Sequence, residues 1–245
     1  MRVFADYHTH TRFSHGKGTV MDNVRAAARK GLEAVAITDH GPANLFGVGV
    51  ESLAAFVEIA EEIERSREAF PGVRVLMGVE ANVIDTDGGL DVPAEVQRRL
   101  DIVLAGHHLI VRGRTLADWW KLSGRNFAAR WSRHLAERAR VDNTKSLVEA
   151  IRRNRVDVVT HPGLHVSIDT EELARECARV GTALEINAKH AHLDVEFLKI
   201  AARQGVSFCI NSDAHGPDEV GEFGRALEVA MRAGIEPERI INVRA

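Results

Sequence analysis

The stretch ADYHTHT, residues 5–11, decides how the rest of the chain reads. It closes a short apolar run, Arg2–Tyr7, that has the look of a first strand, and it carries two histidines two positions apart. Side chains alternate along a strand, so His8 and His10 share one face while Tyr7 and Thr9 take the other. Ordinary strands also carry histidine, and this pair alone settles nothing. The pattern recurs, however, each time just after an apolar run. His15 follows the first strand, His40 ends AVAITDH, Glu80 ends VRVLMGVE, His108 ends DIVLAGHH and His161 ends VDVVTH, while Asp213 and His215 repeat the same-face spacing in GVSFCINSDAH. Strands of an α/β barrel deliver such a series when their ends converge on one mouth.

The alternation of elements predicts such a barrel. Strands are expected at Arg2–Tyr7, Ala34–Thr38, Val73–Val79, Asp101–Ala105, Val156–Thr160, Thr182–Ile186 and Gly205–Ile210, with a short eighth at Ile240–Val243. Helical periodicity covers Thr19–Lys30, Glu51–Phe70, Thr144–Arg153, Thr170–Val180, Asp194–Arg203 and Glu219–Ala233. Strands separated by helices imply parallel pairing through right-handed crossovers. The expectation is a barrel near (β/α)7 or (β/α)8, with a doubly wound open sheet as the rival. The segment at about 112–142 breaks the rhythm and holds all three tryptophans, Trp119, Trp120 and Trp131. It reads as a helical insert that packs on the barrel wall, or else as a lid or a subunit interface through which the chain forms a homo-oligomer.

With 245 residues the chain suits one barrel domain spanning 1–245, because ligands from residue 8 to residue 215 have to meet. A formal net charge of -3 argues against long nucleic acid and anionic membranes as partners. Cys177 and Cys209 sit within regular elements and read as buried free thiols of a reducing compartment. With no apolar span long enough for a membrane, a cytoplasmic location is expected.

A glutamate placed like Glu80, after VLMGV, is expensive to bury unless a cation compensates it. Imidazoles and carboxylates together match the donor set of zinc, manganese or iron, and without a CxxC pair a thiolate site is excluded. Nine candidate ligands exceed one tetrahedral ion and suit two or three. The expected chemistry is hydrolysis of phosphate esters by metal-activated water, with no serine or cysteine triad.

The pieces DYHTHTRFSHG, ITDHG, GVEANVIDTDGGLDV, AGHH, THPG, EIN and NSDAH, in this order, resemble the PHP family, named for its polymerase and histidinol phosphatase members. The likeness spans nearly the whole chain and is greatest to the small stand-alone phosphatase-type members. It implies a distorted (β/α)7 TIM-like barrel with a metal site at the C-terminal strand ends. It further implies that one metal takes His8, His10, Glu80 and Asp213, that a second shares Glu80 and adds His108 and His161, and that a third takes His15, His40 and His215. Glu80 and Asp213 would bridge metals and activate water. The choice of His108 over His107 rests on this resemblance.

Beyond the metals a phosphate ester needs positive charge, for which Lys189, Arg12 and Lys17 are candidates, with Arg112 and Arg114 at the start of the insert. Asp6 and Asp39 are candidates to fix a ligand imidazole from the outer shell, and Asn187 and Asn211 to donate hydrogen bonds into the pocket. His190 or His192 could serve as general acid. The leading reading is a phosphatase of small phosphorylated metabolites or nucleotides. The alternatives are a histidinol-phosphatase-like enzyme, a 3'-5' nuclease or nucleotide phosphodiesterase, and a noncatalytic metal-binding module.

Overall fold

The first apolar run divides at Phe4. In the computed structural model, which describes residues 1–190 and 194–244, Arg2–Val3 (β1) pairs antiparallel with Val243–Arg244 (β9), while Ala5–Asp6 (β2) opens a separate seven-stranded parallel sheet. The sheet continues through Ala34–Ile37 (β3), Arg74–Asn82 (β4), Ile102–Gly106 (β5), Val158–Val159 (β6), Ala183–Asn187 (β7) and Phe208–Asn211 (β8). Strand order follows sequence order from β2 to β8. A doubly wound sheet would reverse that order at a switch point, so the open-sheet rival is excluded.

Two apolar layers follow from strand alternation. Residues such as Val35, Val103, Leu184 and Phe208 pack outward with Leu147, Leu173, Leu198 and Ala226 of the surrounding helices. Ala36, Leu76, Leu104, Val158, Ala183 and Cys209 fill the lumen, and Glu80 stands in register with Leu104 on that inner face. Tyr7, expected to point away from His8, packs against this lumen cluster as well. Both cysteines are buried and free, as expected.

The helices start where their caps dictate. Val20–Arg29 (α1) begins with a capping box between Thr19 and Asp22, and buries Val20, Val24 and Ala27 on one stripe. Ala55–Ala69 (α2) packs on β4 and against α1. After the single turn Ala94–Gln97 (α3), the segment following β5 holds Leu116–Trp119 (α4), a wide turn at Trp120–Gly124, Arg125–Ala128 (α5) and a tight turn at Ala129–Trp131. Arg133–Arg153 (α6) then runs unbroken for 21 residues. A helix start near Thr144 is therefore corrected: Asn143 and Thr144 sit mid-helix, because Asn143 bonds Asn126 and the Ser167 carbonyl while Thr144 Oγ1 accepts from the Asp169 amide. Thr170–Val180 (α7) starts at the Asp169 cap and ends at Gly181, whose left-handed φ of 84° an L side chain would resist. Val195–Arg203 (α8) and Gly224–Ala233 (α9) complete the outer ring.

The barrel closes between β8 and β2 by side chains more than by a ladder. Thr9 and Ala214 form one parallel bridge at the mouth. Lower down, the Asn242 side chain accepts from the Ile210 amide and donates to the Ala5 and Ile210 carbonyls, and the Asp6 carboxylate accepts from Ser212 and the Gly221 amide. The expected eighth strand at Ile240–Val243 is thus corrected: its backbone contributes one bridge, Ile240 with Phe208, before β9 turns away to pair with β1.

Candidate metal centre

Glu80 lies one turn of the pleat below the end of β4, a strand of nine residues that carries it to the lumen centre. Its Oε2 is 2.7 Å from His40 Nδ1, 3.3 Å from His8 Nε2 and 3.6 Å from His10 Nε2. Its Oε1 is 2.8 Å from His161 Nε2 and 3.2 Å from His108 Nε2. Asp213 Oδ1 closes the other side, 3.3 Å from His10 Nε2 and 3.7 Å from His8 Nε2, with His215 Nδ1 also at 3.3 Å. His15 stacks with His40 at a ring-centre separation of 5.0 Å and sits 4.1 Å from the His215 ring. All nine sequence candidates therefore gather at one mouth. Three sets bring their donor atoms within 4.8 Å of one another: His8, His10 and Asp213; His40, Glu80 and His108; and His10, His40 and His215. His40 thus stands between two of the expected groupings.

Two of these residues hold unusual backbone. His161 has φ 27° and Asp213 φ 56°, left-handed values that a non-glycine residue adopts only where its surroundings impose them. Each follows the end of its strand, and the turn aims the side chain back at the lumen.

A carboxylate that the sequence reading passed over organises the floor. Glu185 on β7 is fully buried; its Oε1 accepts from His8 Nδ1 at 2.7 Å and Asn211 Nδ2 at 2.9 Å, and its Oε2 from the His161 amide at 2.7 Å and Asn187 Nδ2 at 2.9 Å. With Nδ1 of His8 thereby held as a donor, Nε2 is presented toward Glu80 and Asp213. Asn187 also donates to Asp213 Oδ2 at 3.1 Å, so both asparagines donate into the site. On the other side, Asn82 Oδ1 accepts from His108 Nδ1 at 2.7 Å, and the Asn82 amide in turn is held by the half-buried Asp91. His107 turns away, with Nε2 2.8 Å from Ser146 Oγ on α6.

The outer-shell role expected of Asp6 and Asp39 is corrected, since neither carboxylate meets a histidine ring among the described residues. Asp6 stands in register with the outward Val35 and ties the β8 seam, and Asp39, opposite in parity to His40, binds Thr11 and Ser14.

Above the floor opens a cavity of about 700 Å³ lined by His15, Lys17, Lys189, Phe127 and Arg130 among others. Lys189 Nζ lies 2.6 Å from His215 Nδ1 and 3.2 Å from Glu219. Arg12 is corrected as a mouth cation: it crosses to Glu62 of α2 at 2.5 Å, because the loop turns it outward over Phe13. Arg114 is likewise taken by Asp85. His190 reaches Asp213 Oδ2 at 3.3 Å, while His192 lies outside the described residues. Of the insert's tryptophans, Trp131 is 82% exposed, while Trp119 at 41% and Trp120 at 45% are more than half covered. No described helix is long and apolar enough to cross a membrane.

The electrostatics suit cations. Burial opposes ionisation of Glu80, yet His40, His8, His108 and His161 hold its carboxyl well below the usual range. Burial depresses His10 well below, and His40 and His215 to about 4, so these three rings are neutral, the form that ligates metal. Both Glu80 oxygens, His108 Nε2 and His10 Nδ1 are buried without a hydrogen-bond partner among the described residues. Buried polar atoms are ordinarily satisfied, and a group of this size pointing into one space fits divalent cations.

The chain resembles known proteins along its full length. It is 32% identical over 252 residues to a protein named probable phosphatase from Thermoanaerobacter sp. (strain X514), covering 99% of this chain and 91% of that one. A probable phosphatase of Acetivibrio thermocellus is also 32% identical, over 253 residues, with 99% and 92% covered. Among solved structures, the histidinol phosphate phosphatase of Lactococcus lactis subsp. lactis Il1403, complexed with zinc, L-histidinol and phosphate, shares the fold at a TM-score of 0.65 and 15% identity, with 96% and 95% covered. The PHP domain profile matches residues 6–212, and the chain belongs to the PHP family.

Proposed function

We propose that this protein is a metal-dependent phosphoesterase, a phosphatase that hydrolyses small phosphate monoesters. The observation that carries the reading is the Glu80 carboxylate, buried without a well-directed hydrogen bond on either oxygen and faced by five imidazoles. Two or three divalent cations, zinc, manganese or iron, would be held by His8, His10, Glu80 and Asp213, by Glu80, His108 and His161, and by His15, His40 and His215. Bound there, such ions supply Lewis acidity to the phosphoryl oxygens and acidify a water. Glu80 would be shared between ions, with Asp213 completing the set of His8 and His10. Glu185 and Asn82 fix the rings of His8 and His108, and Asn187 fixes Asp213. Lys189 and Lys17 at the cavity edge would receive the phosphate, with Lys189 held over His215 for that purpose. The names of the full-length relatives support the phosphatase reading.

The test is metal analysis of protein purified without added metal, followed by phosphate release across a panel of phosphorylated metabolites. Two or more equivalents of transition metal and turnover of at least one monoester are expected. Fully loaded protein that releases phosphate from none of them would end the reading.

A further inference from the structure

Resting on the phosphatase reading, we infer that the insert side of the mouth selects the leaving group: an aryl or heteroaryl phosphate monoester bearing a second anionic group remote from the scissile phosphate. The cavity has two unlike walls. On one side stand His15, Lys17, Lys189 and Glu219, polar and close to the carboxylate floor. The apolar lining is Leu109, Ile110, Phe127 and Leu164, with Arg130 beside Phe127 and His165 next to Leu164. Phe127 comes from α5 and Arg130 from the tight turn after it, so the insert brings both to the mouth together. The Arg130 guanidinium lies 6.0 Å from the centre of the Phe127 ring and has no carboxylate partner among the described residues. Arg125, Arg140 and Arg114 of the same segment and its flanks each have one; Arg112, Arg133 and Arg138 have none among the described residues either, but they do not line the cavity as Arg130 does.

A flat ring carried by the leaving oxygen would lie against Phe127 and the aliphatic side chains, displacing water from a wall that gives it no hydrogen bonds. An anionic substituent on the far edge of that ring would meet the Arg130 fork. An aliphatic polyol would leave the apolar wall wet. A leaving alcohol carrying an amine would meet like charge at Arg130.

The experiment compares phenyl phosphate with 4-carboxyphenyl phosphate, on the metal-loaded full chain and on Arg130→Met, Arg130→Glu and Phe127→Ala. In the wild type kcat/KM should favour the carboxylated ester about fivefold, the scale of a solvent-facing charge pair, and the preference should shrink with added salt. Arg130→Met should erase the preference through KM, leaving kcat and phenyl phosphate within about twofold. Arg130→Glu should reverse it toward 4-(aminomethyl)phenyl phosphate. Phe127→Ala should lower both aryl esters relative to ethyl phosphate. A wild-type enzyme indifferent to the carboxylate, or an Arg130→Met variant that keeps the preference or loses both esters equally at unchanged melting temperature, overturns the inference. Loaded wild type inert toward all four esters would instead strike at the phosphatase reading itself.

Discussion

The floor and the insert wall of one cavity are built on opposite terms. The floor is made of strand ends whose polar groups are buried and cross-braced: His8 to Glu185, His108 to Asn82, Asp213 to Asn187. The wall draws on the loop after β5, the short helical turns before α6 and Leu164 beyond β6, with Phe127 38% exposed and Arg130 open to solvent. Chemistry that must not vary is placed where the backbone is over-determined, and selection among leaving groups where it can change without disturbing the barrel.

The sharpest way to break this contrast is at the floor's centre. Glu80→Gln keeps the shape of the side chain but removes the charge shared by five imidazoles. Turnover should fall by more than about 100-fold, beyond the usual loss from an outer hydrogen-bond partner, and bound metal per chain should drop with it. Metal analysis alongside the kinetics decides the matter. If both survive, Glu80 does not bridge cations.

A smaller loss is expected one layer out. Glu185→Gln still accepts from His8 Nδ1 through its amide oxygen, but loses the charge that helps hold the His8 pKa well above its usual value against burial. Metal affinity and turnover should both decline roughly 10- to 100-fold, with the Kd for metal, measured by competition with a chelator, moving in parallel. An unchanged metal Kd would reduce Glu185 to a packing role.

These two glutamates also show how far the sequence was legible. Glu80 ends an apolar run, and the cost of burying it alone pointed to a cation. Glu185 sits between Leu184 and Ile186 in a run just as apolar, and the same argument applied there would have found it. It escaped because the histidines after that strand, His190 and His192, read as general acids, and because the nearby Lys189 drew attention to phosphate. The order of the strands was readable from apolar runs alternating with helical periodicity. The seam was not: nothing local in Asp6 or Asn242 reveals that each ties together segments more than 200 residues apart. Arg12 was misplaced for the same reason, since its partner Glu62 lies on a helix that only the fold brings near. Long-range pairings of single polar groups carry no periodicity, and periodicity is what a sequence displays.

The smallest effect is expected farthest out on the wall. Trp131 is 82% exposed and outside the cavity lining, although a large apolar side chain in such a position is often a sign of contact with a partner. If the wall works through Phe127 and Arg130 alone, Trp131→Ser should change stability by no more than about 0.5 kcal/mol and turnover of small monoesters by less than about twofold. Thermal melting and steady-state kinetics at two protein concentrations check this. A concentration-dependent melting temperature in the wild type that disappears in Trp131→Ser would mean that the tryptophan is covered by a second copy, and the insert would then serve as a subunit contact as well as a wall of the cavity.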